Sequence, residues 1–171
     1  VLKFDFSAAF SDTQFAIIGN FPYNISSQIL FKILEAKELV VELVGMFQKE
    51  VALRVSQQPG NKQYGILSVL IQAYFDVEYL FTVDEHVFDP PPKVKSGVIR
   101  IKRNTTNKLS CDEKLFKRIV KTAFNQRRKM IRNSLKIFLN DKKTNHPLFT
   151  MRPEQLAVQD FIELTNILES P

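Results

Sequence analysis

Asn20, Phe21, Pro22 and Tyr23 are consecutive, and together they offer what is needed to hold an aromatic amine. The Asn20 carboxamide is a neutral acceptor, and the carbonyl of Pro22 is a second one, held by a ring that restricts its own φ. Tyr23 adds a flat face on which a base can stack. Two acceptors converging on an exocyclic NH2 beside an aromatic plate would polarise the amine and turn its nitrogen toward an electrophile. Neither a metal nor a charged base is required. A turn selected only for bending would also use these residue types, so the motif gains meaning from its context. Residues 15–19 (FAIIG) form a short apolar run ended by Gly19 and Asn20, which predicts a buried strand stopping at a turn. In the segment that follows, residues 26–36, Ile29, Leu30, Ile33 and Leu34 recur at helical spacing after Ile25, with Ser26 or Ser27 available as a cap. The motif is thereby expected at the carboxyl edge of an α/β sheet, where such folds bind ligands.

The rest of the chain must build that edge. Residues 39–47 (LVVELVGMF) read as a second buried strand, and residues 50–57 as a short helix stopped by Pro59 and Gly60. From 66 to 83 the chain is aromatic and β-branched, which predicts one or two extended strands with a bend near Asp76. Residues 94–102 (VKSGVIRIK) alternate as a final strand, with Val94, Val98 and Ile99 or Ile101 inward. Strand, helix, strand, helix and two strands is the order of the back half of an α/β sheet. Residues 104–112 are polar and form a candidate linker. Beyond them Phe116, Ile119, Val120, Ala123 and Phe124 define one amphipathic helix, and residues 127–138 a second, with Met130, Ile131, Leu135 and Phe138 apolar. A break near Asn125 keeps Arg127 off the apolar stripe. Pro153 and Glu154 suit a helix start, and Leu156, Phe161, Ile162, Thr165 and Leu168 supply the last stripe. The chain thus divides at about residue 104 into a partial α/β domain (1–104) and a small helical domain (105–171).

Composition bounds what this chain can be. It has 171 residues, 44% of them hydrophobic, which excludes a disordered chain. Cys111 is the single cysteine, so no internal disulfide forms, and with only His86 and His146 it makes a poor zinc set; no metal is expected. Both histidines lack partners suggesting catalysis and read as surface or loop residues. No apolar run approaches the roughly 18 residues of a membrane span. The first residue is Val and no signal-peptide pattern follows, so the expectation is a piece of a longer cytoplasmic protein.

Charge is unevenly distributed. Residues 1–103 carry equal numbers of basic and acidic side chains, and residues 104–171 hold the whole net charge of +6. Between 117 and 143 there are ten basic residues and one acid, Asp141. Such an imbalance is the footprint of a polyanion partner, although a solvated helical face would look the same.

Five blocks resemble the ribosomal RNA adenine N6-dimethyltransferase family, closest to its bacterial small-subunit (16S) members. Residues 20–26 (NFPYNIS) are similar to that family's N-x-P-Y-N-I-S block, 48–54 (QKEVALR) to its QKEVA block and 64–69 (YGILSV) to its Y-G-x-L-S-V stretch. Residues 88–98 (FDPPPKVKSGV) resemble F-x-P-P-P-K-V-x-S, and 124–135 (FNQRRKMIRNSL) the signature of its C-terminal domain. The order is conserved over nearly the whole chain, which is far more specific than any single block. The resemblance implies the C-terminal part of a Rossmann-like class I methyltransferase sheet followed by an all-helical domain. It implies methyl transfer from S-adenosyl-L-methionine, twice, to each of two adjacent adenines in small-subunit rRNA. Asn20 and the Pro22 carbonyl would bind the N6 amine, Asn20 also bordering the cofactor. Tyr23 and Phe88 would stack on the flipped base from opposite sides. Lys121, Arg127, Arg128, Lys129, Arg132 and Lys136 would grip phosphates of the rRNA or of the immature small ribosomal subunit.

One family feature is missing. The cofactor site of this fold needs a Gly-rich turn after its first strand and an acid after its second. The glycines here are Gly19, Gly45, Gly60, Gly65 and Gly97, with no G-x-G among them. Residues 2–6 (LKFDF) resemble the segment after the family's third strand, which would put the remaining cofactor residues before Val1. The chain alone is therefore expected to be inactive, with residues 15–19 an exposed apolar edge. A non-catalytic RNA-binding assembly module is the alternative, and a DNA adenine methyltransferase a further one. Asn20 beside Tyr23 favours the enzyme lineage over the first; Phe21, where the second commonly has Pro, argues against it.

Overall fold

The computed structural model describes residues 5–11, 13–139 and 145–169. Most of residues 2–6, and Asp141, Lys142 and Lys143, lie outside them. Asp5 accepts a hydrogen bond from the Ala8 amide (3.1 Å) and starts a short helix, α1 (Phe6–Phe10), which ends on Ser11 in the left-handed region. Phe10 stacks on Phe15, at the start of strand β1 (Phe15–Asn20). Helix α2 (Ser26–Glu35) returns the chain to a parallel neighbour, β2 (Val40–Gln48), in register Gly19↔Gly45 and Asn20↔Met46. After α3 (Lys49–Ser56) come α4 (Ile66–Gln72), β3 (Phe75–Val83) and β4 (Ser96–Arg103). The sheet order is β1-β2-β4-β3, with the last two pairings antiparallel. The sheet is therefore mixed, and the order strand, helix, strand, helix and two strands is present with α4 added before the last two strands.

The chain forms two compact units. The sheet unit comprises the described residues up to Ser56 with Tyr74–Asn107, and its core is one sheet face. Leu43, Phe47, Ile99 and Ile101 there are fully buried, joined by Ile29, Leu30 and Ile33 of α2 and by Ala52 and Val55 of α3. β1 pairs with β2 on one side only among the described residues, and Ile18 on it is 87% exposed. The apolar edge expected for residues 15–19 is present.

The second unit contains Gln57–Ala73 as well as Lys108 onward. Its core comes from α4, α5 (Glu113–Asn125) and α7 (Val158–Glu169). Phe116, Ile119, Val120 and Ala123 are buried on α5, and Phe161, Leu164, Thr165 and Leu168 on α7. Phe124 joins them, 6.1 Å from the ring of Tyr64 and 5.9 Å from that of Phe161. Asp112 caps α5 by accepting the Leu115 amide.

Three sequence expectations are corrected. Residues 66–83 are not one extended segment: 66–72 are the helix α4. Leu67, Ser68, Val69, Leu70 and Ile71 are all buried, so the uniformly apolar run encodes burial on every side and mimics a core strand. The Ser68 hydroxyl accepts the Gly65 amide (2.9 Å), tying the first turn. The strand's irregularity lies between Tyr79 and Phe81, not near Asp76. Residues 127–138 are not a single helix either. A turn at Gln126–Lys129 precedes α6 (Ile131–Ser134) and a 3-10 turn at Lys136–Phe138. The Ile131 amide donates to the Met151 carbonyl (2.8 Å), so tertiary pairing starts α6 there; Met130, expected apolar and inward, is 38% exposed. Finally, β4 begins at Ser96, and Val94, expected inward, is 42% exposed.

Glycine decides how the motif end of the sheet is closed. A Cβ on Gly45 would lie 2.5 Å from the Phe21 ring and 2.9 Å from that of Phe47, and one on Gly19 would lie 3.2 Å from Phe21. The Phe21 ring, 4.9 Å from Phe47 and stacked on it, occupies the space those side chains would take. Gly45→Ala is therefore expected to destabilise the protein by about 1–3 kcal/mol through overpacking. A urea unfolding curve superimposable on that of the parent would show that the ring is free to move aside.

Candidate active site

The β1 ladder continues one residue beyond the strand: the Phe21 amide donates to the Met46 carbonyl (3.1 Å) while its ring is 7% exposed. With backbone and side chain of Phe21 both fixed, its neighbours turn outward. Asn20 is exposed, and its carboxamide makes no hydrogen bond among the described residues. Pro22 is exposed too; its carbonyl accepts weakly from the Ile25 amide (3.3 Å) and the Ser26 hydroxyl (3.4 Å). Buried Ser26 also donates to the Tyr23 carbonyl (3.1 Å), which fastens the 3-10 turn Tyr23–Ile25 to the start of α2. Tyr23 is half-buried, and its phenol shares a hydrogen bond of 2.5 Å with the hydroxyl of Ser96.

The opposite wall is the loop between β3 and β4. Asp84 accepts from the His86 amide (3.3 Å) and from Lys95 Nζ (2.8 Å), which closes the 3-10 turn Glu85–Val87 and ties both ends of the loop together. The Lys95 ammonium beside it holds the Asp84 carboxyl below its ordinary value. The Phe88 amide then donates to the Glu85 carbonyl (3.3 Å). A cleft of about 340 Å³ lies between the walls, lined by Asn20, Phe21, Pro22, Tyr23, Phe88 and two prolines, Pro90 and Pro92. The two acceptors and both aromatic residues named from the sequence thus line one cavity. Its volume exceeds that of a purine base, and its lining holds no charged side chain.

The model of the ribosomal RNA adenine dimethylase family matches residues 1–170. The chain belongs to that family. It is 58% identical over 171 residues to the ribosomal RNA small subunit methyltransferase A of Phocaeicola vulgatus, covering 99% of this chain and 61% of that protein. It is 60% identical over 168 residues to the protein of the same name from Cytophaga hutchinsonii, covering 98% and 65%. The chain therefore spans less than two thirds of the length of the curated relatives it matches. Among solved structures it resembles a dimethyladenosine transferase from Plasmodium falciparum (23% identity, TM-score 0.75, 96% of this chain and 68% of that one). It also resembles the 23S rRNA methyltransferase ErmE (25% identity, TM-score 0.62, 90% and 66%). These neighbours carry the Rossmann-like methyltransferase fold.

The six basic residues singled out from the sequence of this dimethylase-family chain lie in the helical unit, and the structure separates them. Lys121 on α5, Arg128 and Lys129 in the turn, Arg132 on α6 and Lys136 are all exposed. Arg127 is not equivalent: its Nη2 donates to the Asn61 carbonyl (3.1 Å) and its Nε lies 3.8 Å from Glu154 Oε2. The Gly60 amide donates to the Glu154 carbonyl (2.7 Å), so Arg127 and Glu154 clamp the 57–63 loop. In the QKEVALR block, Glu50 pairs with Arg54 along α3 (2.6 Å) and the Lys49 amide donates to the Lys95 carbonyl (2.9 Å). His86 is exposed as expected. His146 caps the turn Pro147–Thr150 and lies 3.2 Å from Glu163. No described helix is long and apolar enough to cross a membrane.

The described residues do not fit S-adenosylmethionine on their own. The space that the glycines of β1, β2 and β4 leave open is filled by the protein itself: Phe21 and Phe47 at Gly19 and Gly45, and Ala52 and Tyr79 at Gly97. Gly60, with positive φ, belongs to a turn of the helical unit. None of these three strand glycines leaves open space for a nucleotide-like ligand.

Sequence reasoning missed Ser96 and the Asn61–Arg127–Glu154 clamp. Ser96 stood inside the FDPPPKVKSGV block, where a small polar residue opening an apolar alternation was the available signal. The clamp brings together residues far apart in sequence and left none. Two results are expected. Arg127→Ala should lower stability by about 1–2 kcal/mol, while Arg128→Ala stays within about 0.5 kcal/mol in the same urea titration. Calorimetry with S-adenosylmethionine should detect no tight binding to the 171-residue chain; a stoichiometric tight isotherm would contradict the glycine packing.

Proposed function

We propose that this chain supplies the adenine-binding part and the RNA-binding part of a small-subunit rRNA adenine N6,N6-dimethyltransferase. The observation that carries this is the cleft in which an unengaged Asn20 carboxamide and the Pro22 carbonyl meet the rings of Tyr23 and Phe88. An adenine entering it would present its N6 amine to the two acceptors. Two hydrogen-bond acceptors on one NH2 draw the protons into the plane of the base and leave the nitrogen lone pair directed out of it. Nothing in the lining needs to change protonation for that to happen. Extruding a base costs a few kcal/mol, and stacking returns about 1–3 kcal/mol per base, so an aromatic on each side is of the right size to hold it.

The methyl donor of this reading, S-adenosyl-L-methionine, depends on residues outside those described, with Asn20 at the border of its site. The substrate is two adjacent adenines in rRNA of the immature small ribosomal subunit, in the cytoplasm. Lys121, Arg128, Lys129, Arg132 and Lys136 contact phosphates, which confer affinity and salt dependence and leave the choice of base to the cleft and to RNA shape. Arg127 acts one step removed, by fixing the loop beside them.

Binding and chemistry should separate. In a full-length protein carrying this chain, Asn20→Ala is expected to lower N6 methylation of a small-subunit RNA precursor by at least a hundredfold. Salt-sensitive RNA affinity should stay within about twofold. Parallel loss of both would mean that Asn20 serves the fold, and an unmodified adenosine N6 with the parent protein would refute the activity itself.

A further inference from the structure

We propose that Ser96 is a positioning residue for the stacking ring: its hydroxyl holds Tyr23 by the phenol so that the ring face stays open to the cleft. This rests on the adenine-binding reading above and adds a residue to it. The bond spans 73 residues of sequence and is 2.5 Å long. Ser96 is fully buried and opens β4, the strand flanked on both sides, where it is level with Gln48 of β2 and Val83 of β3. The Lys49 amide closes the ladder on the Lys95 carbonyl next to it (2.9 Å). Its hydroxyl is thus anchored in the sheet centre, while the group it holds sits in a one-turn 3-10 segment fastened otherwise through the backbone contact of Ser26. Ser96 does not line the cleft and Tyr23 does. The hydrogen bond therefore consumes the edge of the ring and spares its face.

A phenylalanine would stack on a base as well as a tyrosine does, so stacking leaves the phenol unexplained. Pinning accounts for it. An aromatic side chain held at its backbone and at its para position cannot swing with the turn, and a base resting on it keeps its amine in line with Asn20 and Pro22. Small misplacements of a reacting group cost large factors in rate, and supporting hydrogen bonds from rigid elements prevent them. Ser96 also directly follows the Phe88 loop, so the same strand start secures both walls of the cleft.

The test uses a full-length protein carrying this chain, with a small-subunit RNA precursor as substrate. Ser96→Ala and Tyr23→Phe should each lower kcat for methylation about five- to tenfold while KM for the RNA stays within twofold. The double variant should be no slower than either single one. Tyr23→Phe leaves the buried strand untouched, so it decides the matter even if Ser96→Ala fails to fold. Additive losses, or Tyr23→Phe with the parent kcat while Tyr23→Ala is inactive, would overturn the positioning role and leave the adenine cleft standing. Full activity of Tyr23→Ala would instead overturn the stacking reading and the proposal with it.

Discussion

Everything at the candidate site depends on where the ring of Phe21 rests. It is pressed onto a pair of glycines facing each other across β1 and β2, and stacked on Phe47 beneath. Side chains at Gly19 and Gly45 would expel it. Burial of a phenylalanine side chain is worth about 1.5–3 kcal/mol, enough to decide the course of a single turn. With Phe21 held inward and its amide paired to Met46, Asn20 and Pro22 project into solvent without a hinge between them. On the reading proposed above, the backbone that carries both acceptors is already in place for a base, and of the two only the exposed Asn20 carboxamide has to be ordered. The family's variable position in N-x-P-Y is thus filled here by the residue that does the anchoring.

The second wall is secured by different means. The Phe88 loop has no buried anchor comparable to Phe21; Asp84 closes it by pairing with Lys95 and capping its first turn. That pair is exposed and so contributes little stability by itself. Its effect is geometric: it brings together the two ends of a proline-rich loop that has few backbone donors of its own. The cleft therefore has one wall fixed by packing and another fixed by a screened ion pair at its base.

Much of this was legible in the sequence, for identifiable reasons. β1, α2, β2 and α3 are placed to within a residue or two because each is a clear apolar run or helical stripe, and three carry a boundary signal: Gly19 and Asn20 end β1, Ser26 starts α2 and Pro59 stops α3. The site residues were legible because Asn, Pro and Tyr are consecutive, so local spacing alone put them together. α4 was not, because a run such as ILSVLIQ is apolar on every side and carries no period that separates helix from strand. The segment 127–138 failed for the opposite reason. Its spacing suits a helix, but the Ile131 amide is paired with Met151, twenty residues on, and tertiary pairing overrides local propensity.

The same distinction bears on the basic residues. As a string, QRRK offers three equivalent cations, and charge counting assigns all of them to a polyanion. Folded, the first is half-buried against Glu154 and the Asn61 carbonyl, and the next two are exposed on a turn. Placing them on a turn rather than a helix matters physically. On a helix, neighbouring residues point about 100° apart and only some could reach one phosphate chain. A turn closed by the Lys129 amide on the Gln126 carbonyl (2.8 Å) does not follow that rotation and leaves Arg128 and Lys129 both exposed, while Arg127 fixes the turn to the loop at Asn61. The net charge of +6 falls in the helical unit, but which of its cations stay exposed follows from which guanidinium the fold has already used.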